Sequence, residues 1–306
     1  MATHRIVSLI ASATEIVAAL GFSDQLVGRS HECDFPSFVE RLPTCSASRV
    51  DIGAPSRVID AQVRSIVASA LSVYSVDPDL LNELAPTVII TQTQCEVCAV
   101  SLKDVERAVC ELVTSLPRIV SLEPMSLGDV WTDIQTVATA LGRPDRGTAL
   151  VATLRGRLAA ISDRAAALPT RPSIACVEWI DPLMTAGNWV PKIVEAAGGA
   201  NLFGTAGQHS GYLQPADLAG ADPDVIAIMP CGFDIDRARL EMPALTARPE
   251  WAGLSAVANG RVYITDGNQY FNRPGPRMVE SAEVLAELLH PDVFDFGHRK
   301  TGWTLL

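Results

Sequence analysis

No stretch of the 306-residue chain is apolar for long enough to span a bilayer, so membrane insertion is not expected. The signatures of the common phosphate- and hydride-handling enzymes are missing too. There is no G-x-G-x-x-G behind a strand, no P-loop Gly-Lys-Ser/Thr, no H-E-x-x-H and no G-x-S-x-G. Positive charge is in short supply, with 24 Lys and Arg against 35 Asp and Glu, a net charge of −11. A chain this acidic repels phosphate backbones, which excludes nucleic acid as a natural partner. Charged residues are only 19% and hydrophobic ones 48%, a composition that buries a full core and excludes disorder. The seven cysteines are an odd number without framework spacing, which fits a reducing compartment better than a disulfide scaffold.

What is present reads as repeated strand–helix units. Arg5–Leu9 is a predicted strand and Ala13–Leu20 a helix closed by Gly21 in the C′ position. Glu15 interrupts the apolar run there, and Ser8, Ser12 and Thr14 dilute it. The segment therefore reads as strand and helix rather than a signal peptide, and a cytoplasmic protein is expected. Further strands are predicted at Leu26–Ser30, Val88–Ile90, Arg118–Leu122, Ser173–Val177, Val225–Met229 and Val262–Thr265. Helices are predicted at Ile59–Ala70, Pro78–Leu84, Leu102–Val113, Ser126–Leu141, Trp189–Ala197 and Gly275–Leu289. RIVSL occurs at 5–9 and again at 118–122, each followed by a helix ending in Ala-Leu-Gly. ELAPTVIIT at 83–91 is echoed by GADPDVIAI at 220–228, with a proline just before each buried strand. These echoes suggest two lobes built on one plan. Between them, Asp145–Leu168 has apolar residues at 150, 154, 158, 161 and 165, the spacing of one long helix. The expected organisation is an N-terminal α/β lobe over 1–144, a connecting helix over 145–168 and a C-terminal α/β lobe over 169–306. The fold class is α/β with mainly parallel sheets and a ligand cleft between the lobes.

The stretch PTVIITQTQCEVC, Pro86–Cys98, is a strand that ends in amides, thiols and a carboxylate. In open α/β sheets ligands bind beyond the carboxyl ends of the strands. The residues just past the predicted strand ends are therefore the candidate ligand contacts. In the first lobe they are Ser12, His31, Glu32, Cys33, Gln94, Cys95, Glu96 and Glu123. In the second they are Trp179, Asn188, Trp189, Asn268, Tyr270 and Asn272. Aromatics give contact area to a ligand and amides fix its orientation. His31-x-Cys33 with Cys95-x-x-Cys98 also supplies four ligands suited to a transition metal such as zinc or iron. The same four positions are open to two other readings, polar lining of an organic pocket and thiol chemistry.

Several segments resemble the helical-backbone (class III) periplasmic binding proteins of the cobalamin and ferric-siderophore type. They are RIVSLIASATEIVAALG with LVGRSHECD, then PTVIITQTQCEVC, DPLMTAGNWVPKIVEAAGG and GRVYITDGNQYFNRPGPRMVESAEVLAELLHP. The likeness runs from about Arg5 to His290 and is greatest to chains described as cobalamin-binding. It implies two α/β lobes joined by one long helix. It also implies a binding protein for cobalamin, another corrinoid or a related metal chelate, with Trp179, Trp189 and Tyr270 as the positions suited to sandwich the ring. The missing export signal argues against a permease partner. The Cys- and His-rich rim keeps an alternative open: a metal- or thiol-dependent enzyme on the same fold, centred on His31, Cys33, Cys95 and Cys98. The sequence fixes no oligomeric state.

Overall fold

A computed structural model describes residues 3–69, 72–92 and 116–306. The chain divides into two compact units. One comprises Met1–Ala54, Val58–Pro124 and Gly128–Ala152; the other comprises Pro55–Arg57, Met125–Leu127 and Thr153–Leu306.

The first unit is built on a parallel four-stranded sheet. Strands β1 (Ile6–Ser8), β2 (Leu26–Arg29), β5 (Val88–Gln92) and β6 (Arg118–Leu122) lie in the order β2-β1-β5-β6. A separate antiparallel pair is formed by β3 (Ser46–Ser48) and β4 (Tyr74–Val76). Both faces of the central strands are covered. Ile6, Val7, Ile89 and Ile90 are fully buried, which is why these strands read as unbroken apolar runs rather than alternating ones. Helix α1 (Ala11–Ala19) follows β1, and α2 (Ser56–Ala68) and α3 (Pro78–Leu84) follow in the chain. Asp77 caps α3 by accepting the Leu80 amide at 3.0 Å, and Pro78 takes a first-turn position where its missing N–H costs nothing.

The echoed sequences fold alike. Helix α1 and helix α4 (Leu127–Ala140) end in the same way. Gly21 and Gly142 adopt φ of +79° and +71°. The amides that follow them reach back, Phe22 to the Val17 carbonyl at 3.1 Å and Arg143 to Ala138 at 2.8 Å. That double closure satisfies the last carbonyls of each helix. Helix α5 (Pro144–Ala166) then runs from the first unit into the second, with Leu154, Ile161 and Ala165 as its buried stripe.

The second unit holds a mixed sheet. Strands β7 (Ser173–Trp179), β11 (Val225–Ile228) and β12 (Val262–Thr265) are its parallel core. Antiparallel β8 (Met184–Thr185) and β10 (Gly211–Tyr212) extend one side, and antiparallel β13 (Trp303–Leu305) closes the other. The short β9 (Ala200–Asn201) pairs with β7. Helices α6 (Val190–Ala196), α7 (Pro215–Ala221), α8 (Ile235–Glu241) and α9 (Met278–Leu289) pack around it. Helix α9 is almost wholly buried, two glutamates included. Glu287 accepts the Trp303 indole N–H and the Phe296 amide, both at 2.5 Å, so it pins the C-terminal segment to the helix. Glu283 accepts from Arg157 at 2.7 Å and pairs with His298 at 2.9 Å.

The architecture is therefore two-lobed α/β with one long joining helix, as the sequence predicts. The differences lie at the margins. Two- and three-residue antiparallel strands such as β8, β10 and β13 are too short to show a period in the sequence. The last long helix starts at Met278, later than the Gly275 expected from the sequence. The helix expected at Leu102–Val113 lies outside the described residues.

Candidate functional site

In each unit the candidate residues gather where the parallel strands end. In the first unit, β1 feeds α1 after two residues, and β2 runs into the segment His31–Asp34. His31 is held on two sides. Its Nδ1 lies 2.8 Å from the Ser46 hydroxyl, and its backbone N–H donates to the same oxygen at 3.2 Å. Its ring packs on Tyr74 with centroids 5.0 Å apart. Burial, with the nearby Arg29 charge adding to it, lowers the His31 pKa, so the imidazole is neutral at pH 7. The outer nitrogen, Nε2, is buried and has no hydrogen-bond partner. Glu32 accepts from the Tyr74 hydroxyl at 2.8 Å. Cys33 turns inward: it is 1% exposed, and its sulfur receives the Thr14 hydroxyl at 3.0 Å and lies 3.3 Å from the Ser30 hydroxyl. Burial raises the Cys33 pKa, so it is a neutral thiol packed among hydroxyls. Ser12, in the first turn of α1, is 1% exposed and its hydroxyl has no partner.

Glu123 stands exposed just beyond β6, and its backbone hydrogen-bonds to Asp133 of α4. Asp133 was not anticipated from the sequence. It lies on the inner face of its helix with one carboxylate oxygen unpartnered, and burial, reinforced by Asp129 and Glu123, pushes its pKa up to about 7. An aspartate at a helix position otherwise filled by Val130, Ile134 and Val137 is the signal that would have found it.

Gln94, Cys95, Glu96 and Cys98 lie outside the described residues. Among the described residues, no group of three or more His, Cys, Asp and Glu is placed to hold a metal ion.

In the second unit, Trp179 ends β7 half-buried, its ring 5.2 Å from that of Phe233, which in turn carries the Arg237 guanidinium at 4.5 Å. The Trp179 indole N–H is buried without a partner. Beside it Glu178 accepts from the Ser210 hydroxyl at 2.7 Å, and Ser210 accepts the Gly187 amide at 3.0 Å. Gly187 packs so closely under the 208–210 loop that a Cβ there would sit 2.8 Å from the His209 carbonyl carbon. Asn188 follows with φ of +52° and its side-chain oxygen buried and unpartnered. Trp189 is placed in the core, 5% exposed, its Nε1 donating to the Phe271 carbonyl at 2.7 Å. Beyond β12, Asn272 donates to the Met229 and Gly267 carbonyls at 3.1 and 2.8 Å. Asn268 accepts from Arg273 at 2.9 Å. Tyr270 is 9% exposed, between the Arg277 guanidinium at 5.6 Å and the His298 ring at 5.9 Å. The arginines were not singled out from the sequence, where a charged residue in a loop has no mark of burial.

Residues 6–269 match the family described as periplasmic binding protein. An uncharacterized ABC transporter substrate-binding lipoprotein of Bacillus subtilis, YvrC, is 23% identical over 297 residues, covering 95% of this chain and 81% of the relative. The periplasmic heme-binding protein RhuT of Roseiflexus, in its apo form, is 24% identical with a TM-score of 0.70, covering 95% of this chain and all of the other. The periplasmic vitamin B12-binding protein BtuF of Vibrio cholerae is 21% identical with a TM-score of 0.61, covering 94% and 96%. These findings overturn the expected cytoplasmic location, because the family and both solved relatives are periplasmic. The strand and helix read in the first residues are real, but a folded start does not decide the compartment. The matched family is one of binders rather than catalysts, which sets the enzyme alternative aside. Among the described residues, no helix is long and apolar enough to cross a membrane. With the match spanning most of its length, and two α/β units on one long helix beneath it, the chain belongs to the periplasmic binding protein family and binds a small ligand.

Proposed function

We propose that the ligand is a corrinoid, cobalamin or a close relative; each unit's sheet has a carboxyl-end rim whose residues suit one. The observation that carries this reading is the charge and hydrogen-bonding character of those rims. Glu32, Asp34 and Glu123 follow the strands of the first unit; in the second, Glu178 is the penultimate residue of β7 and Asp266 follows β12. The arginines beside the second rim are buried and already bonded, Arg273 to Asn268 and Arg277 to Gln269. A heme presents two carboxylates, which need cations to leave water. A corrin ring is fringed by neutral amides, which suit carboxylates and side-chain amides. Heme-binding and B12-binding proteins both occur among the structural relatives, so the fold itself accommodates either ring.

Within this reading Trp179 offers its ring face and indole N–H, and Asn188 its unpartnered oxygen. On the first unit, Ser12 and His31 offer unpartnered atoms of their own. Trp189 and Asn272 hold the second rim in shape through their backbone bonds. Absorbance titration with hydroxocobalamin and, separately, with hemin tests the proposal. Saturable 1:1 uptake of the corrinoid, with hemin at least tenfold weaker, is the expected result. Preferential hemin binding would overturn it.

A further inference from the structure

We infer that the N-terminal turn of α1 receives the ligand's anionic group, an oxyanion such as the phosphodiester of a nucleotide-bearing corrinoid. The inference rests on the corrinoid reading and adds where the ligand's one negative charge goes.

Helix α1 begins two residues beyond β1, a central strand of the first sheet, at the end of the sheet where ligands bind in open α/β folds. The first amides of any helix lack an intrahelical acceptor, and α1 provides no substitute. Its N-cap residue is Ile10, extended at φ −150° and ψ 142°, with no side chain to cap. No acidic residue lies in the first turn. The Thr14 hydroxyl is committed to Cys33 at 3.0 Å, and Glu15, buried one turn on, has its own partner. The turn is nonetheless buried, with Ala11 5%, Ser12 1% and Ala13 0% exposed. Among the described residues no side chain caps this helix start, and its positive end is withdrawn from water.

Ser12 is the second, independent sign. Its hydroxyl sits in that same turn and has no partner. Side chains of a helix lean toward its N-terminus, which carries this hydroxyl toward the first-turn amides. A hydroxyl and backbone N–H groups at the positive end of a helix are the donor set that oxyanions take. The neighbouring groups make the assignment selective. His31 is held neutral and supplies no charge, while Glu32, Asp34 and Glu123 repel an anion from the rest of the rim. Among the described residues of this rim, the start of α1 is the group suited to a ligand's negative charge.

The test compares two corrinoids, cobalamin and cobinamide, which share the ring but differ in the phosphodiester-linked nucleotide. Ser12→Ala should weaken cobalamin roughly tenfold, the loss of one charge-assisted hydrogen bond, and leave cobinamide within about twofold. Ser12→Asp places a carboxylate where the oxyanion would sit. With its fold confirmed by circular dichroism and melting temperature, it should weaken cobalamin on the order of a hundredfold. Unchanged cobalamin affinity in both variants, or equal loss of both corrinoids, overturns the inference while leaving the corrinoid reading intact. If wild type takes up neither corrinoid, the corrinoid reading falls and inorganic phosphate decides the rest. A rise in the wild-type melting temperature with phosphate over chloride at equal ionic strength, absent from Ser12→Asp, supports the subsite. No such rise ends it.

Discussion

The two rims solve different problems with different residues. In the second unit, large and charged side chains are tied to their own surroundings. Trp189 bonds to Phe271, Arg273 to Asn268, Arg277 to Gln269, and Asn272 to two carbonyls. Unclaimed buried atoms stand at both rims, the Ser12 hydroxyl and His31 Nε2 in the first unit, the Trp179 indole N–H and Asn188 Oδ1 in the second. A side chain bonded to its own surroundings, as in the second unit, helps to fix the shape of the rim. An unclaimed buried polar atom carries a cost of about 1–3 kcal/mol, which a ligand can relieve. The comparison separates residues that build a site from residues that await something in it.

The largest effect should come from breaking a bonded side chain of the second rim. Trp189→Ala removes a core side chain and orphans the Phe271 carbonyl, and should cost about 3–5 kcal/mol in denaturant unfolding. A cost below about 1 kcal/mol would show that this rim is not the fixed one.

The next effect lies in the first unit and depends on pH. Asp133 titrates at about 7 when folded and near 4 when unfolded, because burial, then Asp129 and Glu123, disfavour its charge. A carboxyl raised in this way lowers stability as pH climbs from the unfolded value through the folded one. Above pH 7 the penalty is complete, and below about pH 4 it vanishes. Asp133→Asn should therefore stabilise the protein by about 2–4 kcal/mol at pH 8 and leave it nearly unchanged near pH 4, as read by urea melts at both. A gain independent of pH would mean that repacking, not charge, is responsible.

Affinity is the third probe. Trp179→Ala should weaken corrinoid binding roughly tenfold through the lost ring face, with Trp179→Phe recovering most of it if stacking dominates the indole N–H. The smallest effect belongs to His298. Its bond to Glu283 raises its pKa, with burial opposing and the carboxylates of Glu287, Glu283 and Glu280 assisting. A raised histidine stabilises fully below its unfolded value, and that contribution fades as pH rises through the folded one. His298→Gln should cost up to about 1 kcal/mol at pH 5.5 and less at pH 9. An equal loss at both would assign the effect to packing.

The legible part of the sequence was the part with a period or a punctuation mark. β6 and α3 fall at their expected bounds because a proline or a buried apolar run frames each. The α1 and α4 ends are marked by the Ala-Leu-Gly echo. The joining helix carries an apolar stripe that survives one weak glycine. The candidate contacts were chosen by a rule about position, beyond the strand ends, and position does not report orientation. It placed Trp189 and Trp179 in one class, although one N–H is bonded to a carbonyl and the other to nothing. It also passed over Asp133, Arg273 and Arg277, which matter through burial that no local pattern announces. The compartment was misjudged for a related reason: a first segment that folds as strand and helix says what those residues do, not where the protein resides.

The central claim is that the rims select a ring fringed with neutral amides over one bearing carboxylates. Native mass spectrometry of the purified chain offered equimolar hydroxocobalamin and hemin measures this directly. The account predicts one corrinoid per chain as the dominant adduct. A dominant hemin adduct, or a bare chain in the presence of both, would contradict it.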